Sequence, residues 1–193
     1  MPAATVPKNA VAAGPGYLYE AQLGTSLPAN TVAGSVFTDA WPGGWNLWGI
    51  TTDGSEFDYD ITTAEILAAE YFDPIQIVTT ERSASFKFEL MQVHATNLAR
   101  SLNGGSLTVS GSGATQLNTY TPPAVGAEVR IMIGWEAQDS TERMVLEQAF
   151  QIGSLAVSRK KGADIATLPL EFHAEIAPSG FPFRYWSAGT VRG

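Results

Sequence analysis

Residues 56–61 alternate strictly between acidic and apolar side chains, reading Glu-Phe-Asp-Tyr-Asp-Ile. Successive side chains of a β-strand point to opposite faces of the sheet, so this pattern predicts a strand with two unlike faces. One face buries Phe57, Tyr59 and Ile61. The other face presents an acidic stripe, formed by Glu56, Asp58 and Asp60. Because a helix would mix these two sets of side chains, the segment constrains the chain to a β fold here.

Alternation and apolar runs predict many further strands, separated by turn residues such as Asp53-Gly54 and Asp73-Pro74. The predicted strands are 17–23, 45–51, 55–61, 75–80, 83–90, 106–110, 118–121, 129–137, 144–150, 152–158, 167–176 and 181–186. A helix is predicted at 94–102, before the stop signal Asn103-Gly104-Gly105, with a possible second helix at 64–71. The sequence therefore predicts a mainly β fold, an antiparallel β-sandwich or partly open barrel with one short α-helix.

The domain organisation follows from length and composition. With 193 residues and 45% hydrophobic content, the chain can bury one substantial core. Residues 1–16 are rich in Ala, Pro and Gly without periodicity, and we expect an extended arm. Residues 17–193 are expected to form a single β domain. Within it, the loop predicted at 62–73 is unusually apolar for an exposed tip.

Charge and composition exclude several classes of function. The formal net charge is −8, and no lysine or arginine occurs between Lys8 and Arg82, where ten carboxylates lie. Stable nucleic-acid binding requires cations that contact phosphates, so it is not expected. The absence of cysteine excludes disulfides and thiolate chemistry. No apolar run approaches the ~20 residues of a membrane span, and the first residues lack a signal-peptide core, so we expect no membrane insertion.

No motif in the sequence indicates catalysis, and we expect neither enzyme activity nor a cofactor or metal. The histidines, His94 and His173, lie far apart in the sequence and are interpreted as surface residues. Phosphate-binding, zinc-protease and serine-hydrolase motifs are absent. Asp58 and Asp60 could serve as glycosidase carboxylates or calcium ligands, although a solvated carboxylate row is the simpler interpretation.

Two further clusters leave alternatives open. Trp41, Trp45 and Trp48 could form a sugar-stacking platform, which would make the protein a carbohydrate-binding β-sandwich, or they could pack in the core or an interface. The basic run at residues 159–161, Arg-Lys-Lys, is predicted to be a solvated hairpin tip. The alternative is an ion pair with an acidic neighbour in an assembly.

Several segments together resemble a known family. They are Gly-Pro-Gly-Tyr-Leu-Tyr at 14–19, Gln-Leu-Gly-Thr-Ser-Leu-Pro at 22–28, Trp-Asn-Leu-Trp-Gly-Ile at 45–50 with Asp53-Gly54, the strand pair at 75–90 with the helix that follows, and Thr-Leu-Pro-Leu-Glu-Phe at 167–172. In this combination the chain resembles the major tail, or tail tube, proteins of long-tailed, non-contractile phages. Among these, the sequence is most similar to the tail tube proteins of phages that infect actinobacteria.

The resemblance implies a β-sandwich subunit that closes into a hexameric ring with a continuous inner barrel. The rings stack into a tube through which duplex DNA passes without stable binding. Implied partners are further copies of the chain and the tape-measure, tail-tip and tail-terminator proteins. The implied location is the virion tail, with assembly in the host cytoplasm. Because the sequence ends soon after Trp186, we also expect no C-terminal immunoglobulin-like domain.

Specific residues are assigned to this role as hypotheses. The polar face of the strand pair is predicted to line the lumen, because a basic wall would hold DNA phosphates whereas an acidic wall would not. This face comprises Glu56, Asp58, Asp60, Ser83, Ser85, Lys87 and Glu89. The competing placement puts it on the outer surface. Contacts between rings or subunits are predicted for Val6, Val11, Ile66, Leu67, Tyr71 and Phe72. A carbohydrate-binding protein and a two-carboxylate hydrolase remain the alternative functions.

Overall fold

The structure is a computed structural model that describes residues 15–157 and 166–189. The chain is mainly β, as predicted. In the described residues the elements are β1 (Gly16–Gln22), β2 (Val32–Ala33), β3 (Val36–Phe37), β4 (Asn46–Leu47), β5 (Thr51–Ile66), β6 (Gln76–Leu90), α1 (Ala95–Ser101), β7 (Ser106–Ser110), β8 (Leu117–Thr121), β9 (Ile131–Ala137), β10 (Glu142–Gln151), β11 (Leu168–Ala174) and β12 (Phe183–Ser187). The predicted arm residues Val6 and Val11 and the basic run at 159–161 lie outside the described residues.

Eight strands form one antiparallel sheet, seven of them in the order β4-β1-β9-β10-β11-β6-β5, while the eighth, β12, pairs with β10 outside this order. Strand β12 pairs with β10 from Glu142 to Leu146, and β11 pairs with the same strand from Ala149 to Gln151. The pairs β2-β3 and β7-β8 form two separate small hairpins. The sheet does not close into a barrel, which agrees with the predicted sandwich or partly open barrel.

One face of the sheet forms the main core. Strand β11 places Leu168, Leu170 and Phe172 on this face, opposite the alternating apolar residues of β6. The cross-strand pair Phe172 and Phe86 is almost fully buried. Trp48 covers this face and contacts Phe172 with a ring-centroid distance of 5.4 Å. The period-2 pattern of β6 and β11 is therefore the pattern of burial. On β5 the predicted burial of Tyr59 and Ile61 is wrong, because they are 39% and 54% exposed where this strand extends away from the core, whereas Phe57 packs against the core.

The opposite face of the sheet is covered at one end only. Trp45 packs on Met132 and Val145 there, and Trp41 stacks on Tyr19 with a ring-centroid distance of 4.4 Å. Gly134 leaves room for both indoles, since a Cβ at that position would lie 2.5 Å from the Trp41 ring. The other end of this face, formed by β5, β6 and β11, carries the polar side chains.

The structure differs from several sequence-based boundaries. Strand β5 continues to Ile66, so the predicted helix at 64–71 is wrong and the first residues of the predicted 62–73 loop are strand. The strands predicted at 75–80 and 83–90 form one strand, β6. No strand forms at 152–157, and the strand predicted at 45–51 is reduced to Asn46–Leu47 before β5 begins. The extent of β5 and β6 is decided by their pairing with each other along nearly their whole length.

The predicted helix is present as α1. His94 caps its first turn, because the His94 ring nitrogen Nδ1 accepts a hydrogen bond from the Asn97 backbone N–H at 3.3 Å. In the described part of the chain, no helix is long and apolar enough to cross a membrane.

Candidate functional site

The most unusual feature of the fold is the hairpin formed by β5 and β6, with strands of 16 and 15 residues. Strand β6 pairs with β11 only between Ser85 and Leu90. The residues of β6 before Ser85, and the residues of β5 that pair with them, therefore extend beyond the other strands of the sheet. From Ile61 to Arg82, a segment named here the distal hairpin, every residue is exposed except Ala68 and Val78, which are half-buried.

The distal hairpin carries large apolar side chains that the described chain does not cover. They are Ile61, Ile66, Leu67, Tyr71, Phe72, Ile75 and Ile77, and their exposed fractions range from 46% at Ile66 to full exposure at Phe72. The cross-strand register places Ile61 and Ile77 on one face of the hairpin and Ile66 and Val78 on the other. A hairpin that is apolar on both faces is marginal in water, so this arrangement is typical of a surface that a partner covers.

Four of the residues predicted to contact other rings or subunits belong to the distal hairpin. Ile66, Leu67, Tyr71 and Phe72 all lie in the distal hairpin and are exposed. They form its final strand residue and its turn, rather than a loop that begins at Thr62.

The polar side chains predicted to act together do share one face of the hairpin. Glu56 lies opposite Lys87, Asp58 opposite Ser85, and Asp60 opposite Ser83. Glu89 belongs to the same face because it is two residues beyond Lys87. The pairing of β11 with β6 adds Glu171 beside Lys87 and His173 beside Ser85. The sequence predicts a strand at 167–176 but does not identify its neighbour, because pairing between strands leaves no local signal.

Lys87 organises the charges on this polar face. Its Nζ lies 2.6 Å from Asp58 Oδ2 and 4.0 Å from Glu171 Oε1. The hydrogen bond from Lys87 lowers the pKa of Asp58, and the same bond raises the pKa of Lys87. Glu56, Asp60 and Glu89 have no lysine or arginine within 4.0 Å in the described chain. Counting the described residues alone, the face therefore carries an excess of negative charge.

This geometry does not favour a hydrolase. A carboxylic acid that donates a proton to a leaving group needs a raised pKa, whereas the pKa of Asp58 is lowered by Lys87. Nor does the described chain contain a group of three or more His, Cys, Asp or Glu residues placed to hold a metal ion. His173 Nε2 lies 3.4 Å from Glu171 Oε1 on the polar face, and His94 caps the helix. The two histidines thus take part in separate local contacts.

The tryptophan cluster does not form an exposed platform. Trp48 is 1% exposed and contacts Phe88 on the core face, and Trp45 is 9% exposed on the opposite face. Trp41 is half-buried between Tyr19 and Trp45. Because sugar stacking needs accessible ring faces, the core interpretation of these tryptophans is the one that the structure supports.

A comparison with models of protein families agrees with the resemblance noted in the sequence. A family model described as phage tail tube protein matches residues 3–186. A search of curated proteins found no match. Among solved structures, the 6-fold symmetrised cryo-EM structure of the anti-feeding prophage (AFP) baseplate contains a similar chain. The match covers 95% of this chain and 98% of that one, with 10% sequence identity and a TM-score of 0.44.

Proposed function

Since the chain belongs to the phage tail tube protein family, we propose that it polymerises as stacked hexameric rings into the tail tube, the channel for DNA ejection into the host. The family is one of structural tail proteins of the virion, which favours a non-enzymatic role. The observation that carries the proposal is the distal hairpin, which is apolar on both faces and exposed in a single copy.

Polymerisation would remove a liability of the isolated subunit, which is the free edge of its sheet. In the described residues, β5 pairs only with β6, so the outer edge of a 16-residue strand is free. Free strand edges promote uncontrolled association, and a closed ring eliminates them. Contacts between unlike surfaces of identical subunits close into rings when the rotation permits, and a second such contact stacks the rings.

The polar face is proposed to line the channel. Glu56, Asp60 and Glu89 would repeat around and along the tube without an ion pair to the described chain, although Glu56 lies opposite Lys87. Duplex DNA carries one negative charge per ~1.7 Å, so repulsion from such a wall prevents the multiple phosphate contacts that would arrest passage. The partial neutralisation of Asp58 by Lys87 keeps the wall from being uniformly acidic.

The contacts between rings are assigned to the turn of the hairpin and to the arm. Leu67, Tyr71 and Phe72 would bury against the adjacent ring, and Val6 and Val11 of the arm would add apolar area at about 25 cal/mol per Å². The remaining proposed partners are the tape-measure, tail-tip and tail-terminator proteins. Assembly is proposed to occur in the host cytoplasm.

Negative-stain microscopy of the purified protein, examined over a range of concentrations with and without tail-tip complex, tests this function. We expect rings at intermediate concentration and tubes with a central channel at high concentration. A protein that stays strictly monomeric with tip complex and tape-measure protein present would refute the proposal.

A further inference from the structure

Arg82 differs from the other cations of the described chain. Six lysine and arginine residues lie in residues 15–157 and 166–189, and five of them have a carboxylate within 4.0 Å. These five are Lys87, Arg100, Arg130, Arg143 and Arg184. Arg82 has no carboxylate within 4.0 Å among the described residues, and it is exposed near the base of the distal hairpin.

The position of Arg82 explains why its own hairpin does not neutralise it. Arg82 lies opposite Ile61 and therefore on the face that carries Ile61 and Ile77, whereas Asp60 belongs to the opposite, polar face. Glu65 shares the face of Arg82 but lies four residues nearer the turn than Ile61, about 13 Å along the strand at ~3.3 Å per residue. That separation is too large for an ion pair.

This face of the distal hairpin is an extension of the core face beyond the body of the subunit. Phe57 and Phe86 are cross-strand partners that pack in or against the core, whereas Ile61 and Ile77 farther along are 54% and 61% exposed. A surface that fits them must therefore be apolar, and it must carry a carboxylate where Arg82 lies.

A matching surface occurs elsewhere on the same chain, in the segment between β8 and β9. Val125 is fully exposed and Val129 is 50% exposed, and Glu128 lies between them in the sequence. Glu128 has no lysine or arginine within 4.0 Å in the described chain, and its carboxylate accepts a hydrogen bond from the Gly126 backbone N–H at 2.8 Å. Within the described chain, the segment thus offers an apolar pair with one carboxylate that forms no ion pair. Arg130 lies near enough to interact with its charge, but the guanidinium of Arg130 pairs with Glu175.

We propose that Ile61, Ile77 and Arg82 of one copy dock on Val125, Glu128 and Val129 of a second copy, with an ion pair between Arg82 and Glu128. This rests on the proposed self-assembly. The two surfaces are unlike, so the contact is head-to-tail and can propagate from subunit to subunit. The apolar residues provide the buried area, and the ion pair selects the register because a displaced hairpin would leave both charges unpaired.

Charge reversal tests the pairing. Arg82→Glu and Glu128→Arg should each raise the protein concentration needed for polymer by roughly tenfold, because each places like charges together. The double variant should return that concentration to within about threefold of wild type. Arg82→Glu with Asp53→Arg has the same net charge but places the cation near the start of β5, outside the proposed contacts, and it should not recover.

Cross-linking gives a second readout, because the native chain has no cysteine. Copies with Arg82→Cys are mixed with copies with Glu128→Cys under assembly conditions and treated with a short bismaleimide. Covalent dimers of unlike copies are expected, and few from either variant alone. If wild type forms tubes while the reversals are neutral and unlike copies do not cross-link, this interface is wrong and the proposed function stands. If wild type never assembles, both fail.

Discussion

At the scale of single residues, Arg143 shows how the body of the subunit is held together. Its side chain is almost fully buried and donates hydrogen bonds to Asp39 Oδ2 at 3.1 Å, to the Asp39 carbonyl at 2.6 Å and to Glu136 Oε1 at 3.2 Å. The guanidinium also lies 4.8 Å from the centre of the Phe37 ring. Arg143 thereby fastens the segment before β4 onto strands β9 and β10.

Replacing Arg143 with alanine should lower the free energy of unfolding by about 3–5 kcal/mol, because Asp39 and Glu136 would be left without their cation. Urea denaturation followed by circular dichroism measures this change. Arg130→Ala is the matched control. The Arg130 pair with Glu175 is substantially exposed, so its loss should cost at most about 1 kcal/mol. Equal effects of the two substitutions would contradict the structural role given to Arg143.

Asp39 should make the subunit sensitive to acid. Burial raises its pKa, but backbone N–H groups of Asn30 and Thr31, together with Arg143, outweigh burial and hold the pKa below the ordinary value of 3.8. A lowered folded-state pKa means that the stabilisation is complete above the unfolded pKa and is lost as pH falls through the folded pKa. The free energy of unfolding should therefore decline below about pH 4. Asp39→Asn should decline less steeply in a pH series of urea melts, whereas an unchanged slope would exclude Asp39 as the cause.

At the scale of secondary structure, the β5-β6 hairpin combines two different halves. Near the body, Phe57 and Phe86 pack in the core and Glu56 pairs across the strands with Lys87. Beyond Ile61, the same hairpin is exposed on both faces. The stability of the subunit should therefore depend on the first half, and association should depend on the second.

Replacing residues 63–80 with Asn-Gly tests this division, because Thr62 and Glu81 are cross-strand partners that a two-residue turn can join. We expect a folded monomer whose unfolding temperature is close to that of wild type and which does not polymerise in sedimentation experiments. A milder variant, Tyr71→Ser with Phe72→Ser, should keep the hairpin and weaken polymerisation. A shortened chain that no longer folds would show that the distal hairpin stabilises the body.

At the scale of the whole molecule, the two faces of the sheet have different roles. One face is the core, and the other is covered by the tryptophan-rich segment at one end and carries the polar face at the other. If the polar face lines a channel, its residues should be accessible to both small and large molecules in the monomer. In tubes they should stay accessible to small molecules and become protected from large ones.

Asp60→Cys provides the measurement, because it introduces a unique thiol on this face. In the monomer, a small maleimide and a bulky polyethylene-glycol maleimide should both react. In tubes, the small reagent should still react, while the bulky one should react at least about tenfold more slowly, since its polymer chain loses conformational freedom in a narrow channel. Rapid reaction of tubes with the bulky reagent would place this face on the outside. Protection from both reagents would place it in an interface.

The sequence by itself determined the features that depend on local periodicity. The alternation at 56–61, at 83–90 and at 168–172 correctly predicted strands, and the helix predicted before the stop signal at 103–105 is present. These features can be predicted because the side chains of a strand alternate between its two faces with a period of two residues. The burial predicted for Tyr59 and Ile61 was wrong, because periodicity gives the face of a side chain but not whether the body of the subunit covers that face. The same alternation predicted that the side chains of the polar face share one side of the strand pair. The apolar composition of residues 62–73 predicted an apolar surface at the turn of the distal hairpin.

Only the tertiary structure decided which strands are neighbours and how far they extend. Strand β5 reaches Ile66 because β6 supplies its hydrogen-bond partners, and Glu171 joins the polar face because β11 pairs with β6. The burial of Trp45 and Trp48 and the exposure of both faces of the distal hairpin also depend on contacts between distant segments. Such contacts leave no periodic signal in one strand, because register between strands is fixed by packing across the whole sheet.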